Sequence, residues 1–118
     1  MQTILAVDDS DTMRQMVKMT LAAGNYNVVL ATDGQDALNK FDSTKDVDLV
    51  LTDINMPRLD GIGLIREIRQ RNKEVPILAL TTEAEESMRK TGADAGANGW
   101  IVKPFKPAQL LDIVRQIV

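Results

Sequence analysis

Five apolar runs of strand length alternate along this chain with five longer segments of helical period, and few folds accept that order. The runs are Ile4–Val7, Val28–Ala31, Leu49–Thr52, Ile77–Thr81 and Trp100–Val102. Each is short, continuous and rich in branched side chains, which is how a strand covered on both faces reads. The longer segments are roughly 12–23, 35–41, 63–70, 84–93 and 108–118. In the first, Met13, Met16, Val17, Thr20 and Leu21 form one stripe; in the third, Leu64, Ile65, Ile68 and the stem of Arg69; in the last, Leu110, Leu111, Val114 and Ile117 or Val118. Breakers separate them at Gly24-Asn25, Asp33-Gly34, Pro57 with Asp60-Gly61, Pro76, Gly96 with Gly99, and Pro104. Strand–helix alternation of this kind predicts an α/β fold with a parallel sheet and helices on both faces. In such a doubly wound sheet, ligands bind beyond the carboxyl ends of the strands, where the strand order reverses.

Those ends carry charge. Asp8 and Asp9 close the first run, Asp53 closes the third, and Lys103 follows the fifth. A buried unpaired charge is expensive, so carboxylates at two strand ends call for a cation or a reaction. With the first and third strands as neighbours, Asp53 falls beside Asp8 and Asp9. Two like charges ~4 Å apart repel by about 4 kcal/mol at an effective dielectric near 20. A hard divalent ion offsets this best, because carboxylates and carbonyls are its ligands. The fourth run adds the hydroxyl of Thr81 to the same edge. A carboxylate nucleophile, a metal and a cation set around a phosphoryl group can transfer it by positioning and charge neutralisation.

Composition removes competing chemistries. With 118 residues the chain suits one domain, 1–118. Cysteine and histidine are both absent. That excludes disulfides, thiolate metal sites, a Ser-His-Asp triad and a phosphohistidine donor role, and leaves oxygen ligands for any metal. A net charge of −3 with interspersed signs argues against nucleic-acid binding. No apolar run approaches a membrane span and no signal peptide fits the start, so a soluble cytoplasmic domain is expected.

The motifs Val7-Asp8-Asp9-Ser10, Thr52-Asp53-Ile54-Asn55-Met56-Pro57, Asp60-Gly61, Leu80-Thr81 and Val102-Lys103-Pro104-Phe105, in this order, resemble the receiver domains of two-component response regulators, and among them the single-domain, CheY-like chemotaxis type. The resemblance covers the whole chain. It implies a flavodoxin-like (βα)5 fold with strand order 2-1-3-4-5. It also implies that Asp53 accepts phosphate from a phosphohistidine on a CheA-like histidine kinase. Mg²⁺ would be bound by Asp9 directly, Asp8 through water, Asp53, and the backbone carbonyl of Asn55. Lys103 would pair with the phosphoryl oxygens, its direction set by a cis Lys103-Pro104 peptide, and Thr81 would hydrogen-bond to them. Thr81 and Trp100 would form the switch, changing the face made by the fourth helix, fifth strand and fifth helix. The partners implied are the kinase, an output protein such as the flagellar switch, and a phosphatase, with the receiver itself a monomer that binds neither nucleic acid nor membrane.

Plainer readings exist for the same residues. Asp8-Asp9-Ser10 before a helix also reads as a cap, Pro57 to Gly61 as a turn in which Gly61 can supply a positive φ, and Met13, Met16 and Met19 as helix packing. Glu83 to Glu86 reads as a solvated helix start, and Asn55 and Glu83 are candidates for tuning phosphoryl lifetime. Glu86, Arg89, Ala93 and Ile113 occupy the positions of a flagellar-switch contact, and Glu86 and Ile113 stand where relatives carry lysine. This favours a phosphate sink or a non-flagellar output as the alternative role. A small Mg²⁺-dependent aspartyl-phosphate phosphatase is a further alternative, disfavoured because Asn55 occupies the general-acid position. A nucleotide-binding protein lacks support, since neither a Gly-rich loop nor a Walker lysine follows the first strand.

Overall fold

The computed structural model describes residues 2–54, 60–81, 90 and 93–118. Its five strands are β1 (Thr3–Val7), β2 (Asn27–Ala31), β3 (Val47–Asp53), β4 (Ile77–Thr81) and β5 (Gly99–Val102). They form one parallel sheet in the order β2-β1-β3-β4-β5. The helices are α1 (Asp11–Ala23), α2 (Gly34–Ser43), α3 (Gly61–Arg71) and a C-terminal helix (Pro107–Ile117), and residues 93–95 are also helical. The fourth helix expected over 84–93 lies almost wholly outside the described residues. This is the flavodoxin-like doubly wound arrangement. No helix among the described residues is long and apolar enough to cross a membrane.

Alternation along each strand divides the core in two. Leu5, Val7, Val50, Ile77 and Ala79 face α2 and α3, where Leu38, Leu64, Ile65 and Ile68 meet them. Ile4, Ala6, Leu49, Leu51, Leu78 and Leu80 face the other way, onto Val17 and Leu21 of α1 and Leu110 and Val114 of the C-terminal helix. Period-2 strands packed between period-3.6 stripes are what the sequence pattern requires. Full burial of each of these large side chains contributes roughly 1.5–3 kcal/mol.

Three expectations are corrected. Most elements begin or end one or two residues outside their apolar runs, because caps and flanking polar residues hold helical or strand backbone without an apolar signal, whereas β4 coincides with its run and the C-terminal helix ends at Ile117. Met19 is 71% exposed rather than packed, lying off the stripe that Met13 and Met16 share. Of the two residues offered for the end of the last stripe, Val118 packs and Ile117 is exposed, as that alternative allows. Gly61 does not adopt a positive φ; among the described glycines only Gly96 does. Gly61 is required by proximity instead. A Cβ there would stand 2.2 Å from the carbonyl oxygen of Asp53 and 2.6 Å from the Cα of Ile54, backbone atoms that cannot yield locally. Its N–H donates to the Ile54 carbonyl at 2.9 Å, tying the start of α3 to the end of β3. Gly61→Ala is therefore expected to cost on the order of 3 kcal/mol by overpacking. Urea unfolding of the variant checks this.

A second tie fixes the far end of the sheet. Arg69 donates from Nε to the Gly96 carbonyl at 2.9 Å, from Nη1 to the Val75 carbonyl at 2.6 Å, and from Nη2 to Asn98 Oδ1 at 2.7 Å. Asn98 Oδ1 also accepts from the N–H of Ile77 at 2.8 Å. The amino end of β4 and the approach to β5 are thus held by α3, more firmly than by the stem of Arg69 alone.

Candidate functional site

Register places the acidic residues together. Val7 pairs with Thr52, so the next positions, Asp8 and Asp53, lie side by side at the carboxyl edge. Asp9 follows on the rim. Carboxylate oxygens of Asp8, Asp9 and Asp53 all lie within 4.8 Å of one another. Asp8 and Asp53 are buried, at 3% and 8% exposure, whereas Asp9 is exposed. The loop is locally encoded: Ser10 caps α1, its side chain accepting from the N–H of Met13, while the N–H of Ser10 donates to Asp8 Oδ1 at 2.9 Å. The plain cap reading thus holds at Ser10, and it leaves the carboxylates of Asp8 and Asp9 turned to the pocket rather than to the helix end.

Lys103 completes the cluster from the end of β5. Its Nζ lies 2.9 Å from Asp8 Oδ2 and 3.2 Å from Asp53 Oδ2. The Lys103-Pro104 peptide is cis, and the Lys103 N–H donates to the Thr81 carbonyl at 2.7 Å, fixing the turn against β4. Burial pushes the Asp53 carboxyl above the usual carboxylate range, with Asp8's charge adding to this and Lys103 opposing it. For Lys103, burial pulls the ammonium down, but the hydrogen bond and charge of Asp8 and the charge of Asp53 outweigh it. The net shift is upward.

Thr81 is buried at the end of β4, on the same edge. Trp100 lies further back on β5, opposite Ala79, half-buried against the core beneath α2 and α3. Asn55, Glu83, Glu86 and Arg89 lie outside the described residues. Ala93 is exposed, and Ile113 is half-buried against the core under the C-terminal helix.

One residue escaped the sequence reading. Arg14 reaches back from α1 and donates from Nη1 to the Asp8 carbonyl oxygen at 2.6 Å. Its only signal in the sequence is a cation one turn into a helix that opens on acids, after Asp8, Asp9 and Asp11.

The donor set suits a hard divalent cation. Ligand oxygens around Mg²⁺ at about 2.1 Å stand ~3 Å apart when adjacent and ~4.2 Å when opposite, a spread compatible with three oxygens inside 4.8 Å. Both oxygens of Asp8 are already engaged by Ser10 and Lys103, which suits contact through water. Asp9 stands exposed on the rim, its carboxylate turned toward the other two.

Residues 4–115 match the response regulator receiver domain. The chain belongs to that family. The receiver is 43% identical over 110 residues to chemotaxis protein CheY1 of Helicobacter pylori strain J99, covering 91% of this chain and 89% of that one. Its fold superposes on chemotaxis protein CheY4 of Vibrio cholerae with a TM-score of 0.95 at 40% identity, covering 100% and 99% of the two chains. A receiver domain of the Pseudomonas aeruginosa sensor histidine kinase PA1611, solved with magnesium coordinated in its active-site cleft, aligns with a TM-score of 0.89 at 35% identity over 98% and 96%. The receiver is thus a signalling domain of a two-component response regulator.

Proposed function

We propose that this receiver takes a phosphoryl group onto Asp53 from a phosphohistidine of a histidine kinase, and that the modified domain engages an output partner in chemotaxis. The observation that carries the reading is the bridge of Lys103 Nζ to both Asp8 and Asp53, with Asp9 on the open rim. An Asp53 oxygen forms the bond to phosphorus as the donor's nitrogen–phosphorus bond breaks, and the freed imidazole takes a proton. Lys103 moves from the Asp53 oxygen to the transferred phosphoryl oxygens, and the Thr81 hydroxyl joins it there. Asp8, Asp9, Asp53 and the carbonyl of Asn55 would hold Mg²⁺, which supplies neutralisation of the charge gathered at the transferring group. Movement of Thr81 toward the phosphate couples to Trp100, three residues before Lys103. The domain 1–118 would act as a monomer in the cytoplasm, with hydrolysis of the acyl phosphate, by itself or by a phosphatase, ending the signal.

Ile113 favours one narrower version of this role. At this position, where the resemblance implies a lysine, the side chain is half-buried against the core under the C-terminal helix. It offers no cation to an acidic target, which supports a phosphate sink or a non-flagellar output over motor binding.

The test is a titration of acetyl phosphate or beryllofluoride with and without Mg²⁺, followed through Trp100, the sole tryptophan. A Mg²⁺-dependent fluorescence change, with a phosphoryl adduct by intact mass, is the expected result. Absence of both would remove the phosphoacceptor reading.

A further inference from the structure

Arg14 is electrostatically out of place on its helix. The N-terminal turn of a helix carries partial positive charge and favours acids, and α1 already has Ser10 as its cap and Asp11 in its first turn. The arginine nonetheless folds back over this end with only 14% of its side chain exposed. One arm of the guanidinium donates to the Asp8 carbonyl at 2.6 Å and another to the Asp11 carboxylate.

The carbonyl it holds belongs to the Asp8–Asp9 peptide. With that contact, every polar atom of Asp8 is fixed. Its N–H donates to the Ala31 carbonyl at 3.2 Å, Oδ1 accepts from the Ser10 N–H at 2.9 Å, and Oδ2 accepts from Lys103 at 2.9 Å. Asp9 has no such restraint on its side chain among the described residues, so the Asp8–Asp9 peptide, which sets where its Cα stands, limits where its carboxylate can reach. We propose that Arg14 is a positioning residue for cation capture, holding the Asp8–Asp9 peptide so that the Asp9 carboxylate faces Asp8 and Asp53 across the pocket mouth. This rests on reading the three carboxylates as a divalent-cation site.

Charge and geometry predict opposite signs. If Arg14 were only a nearby positive charge, removing it would make the pocket more negative and tighten cation binding. If it positions Asp9, removing it loosens binding despite the gain in negative charge. Mn²⁺ titration of the whole chain, with free Mn²⁺ counted by electron paramagnetic resonance, separates these without any phosphoryl donor. Arg14→Gln is expected to weaken Mn²⁺ binding roughly tenfold, the scale on which residues behind metal ligands act. Arg14→Lys keeps the charge but loses the two-armed fork, and should weaken it several-fold. Circular dichroism reports whether each variant folds.

Equal or tighter Mn²⁺ binding by folded Arg14→Gln overturns the proposal. Loss of the fold in both variants also overturns it, by making Arg14 a structural residue. No Mn²⁺ binding by the wild type would defeat the cation site itself, before any variant is compared. Wild-type binding lost in Asp9→Asn but untouched in Arg14→Gln keeps that site and removes only the role of Arg14.

Discussion

Asp53→Asn is expected to reduce phosphoryl labelling from acetyl phosphate or a kinase to background, while leaving the protein at least as stable as the wild type. The two halves of this expectation have different causes. An amide has no carboxylate oxygen with which to form an acyl phosphate, so the acceptor is lost outright. Stability behaves otherwise because burial and Asp8 hold the Asp53 carboxyl above its ordinary value. A carboxyl raised in this way binds its proton more tightly folded than unfolded. Its contribution to stability is therefore best at low pH and falls as pH rises from the unfolded value through the folded one. Once ionised, Asp53 is a net cost, which a neutral amide of the same shape removes. Lys103 keeps its partner in Asp8 at 2.9 Å, so the substitution leaves no orphaned ammonium. Urea unfolding across the carboxylate range, with chelator present, should show the wild type losing stability with rising pH more steeply than the variant. Retained labelling would move the acceptor elsewhere, and a marked loss of stability would mean that Asp53 supports the fold.

How much of this could be read in advance differs between residues for physical reasons. Leu49 to Leu51 and Ile77 to Leu80 announce buried strands because a sheet covered on both faces leaves no polar positions to blur the run. Strand ends then place Asp8, Asp9, Asp53 and Lys103 at one edge by topology alone, and the β1–β3 pairing brings them together. Asp48 shows the opposite case. It interrupts the apolar pattern at the start of β3, yet it lies within the strand because its carboxylate accepts the Thr3 N–H at 2.8 Å. Arg14 and Arg69 act through backbone carbonyls, which every residue possesses, so no pattern of side-chain types marks their targets. Gly61 was legible as a special position, but the sequence could not separate a left-handed turn from a close approach. The approach to Asp53 decides for the latter.

Lys103→Ala is expected to be the most destabilising substitution in the site. Its ammonium is the partner of two carboxylates, and the side chains of Lys103, Asp8 and Asp53 are only 13%, 5% and 11% exposed. Breaking a buried pair by removing one partner typically costs about 3–5 kcal/mol, because the charge left behind has neither water nor a counter-ion. Here two charges of the same sign are left. The lost stability has a defined pH window. Lys103 titrates above its ordinary value, so in the wild type its contribution is complete below the unfolded lysine range and is lost only as pH rises through the folded value. In the variant, Asp53 is held still higher by the unopposed charge of Asp8, and proton uptake relieves the repulsion. The deficit should therefore be largest near neutrality and shrink as pH falls into the carboxylate range. A divalent cation provides the same relief by another route. With no ammonium competing for Asp8 and Asp53, Mg²⁺ should stabilise Lys103→Ala more than it stabilises the wild type, a difference urea unfolding with and without the ion measures directly. Phosphorylation itself should persist in part, because Asp53 remains, while the Trp100 response should be lost with the group that draws the two strand ends together. A deficit below about 1 kcal/mol near neutrality, the scale of an exposed ion pair, would mean that water reaches the bridge and that Lys103 does not hold the pocket closed.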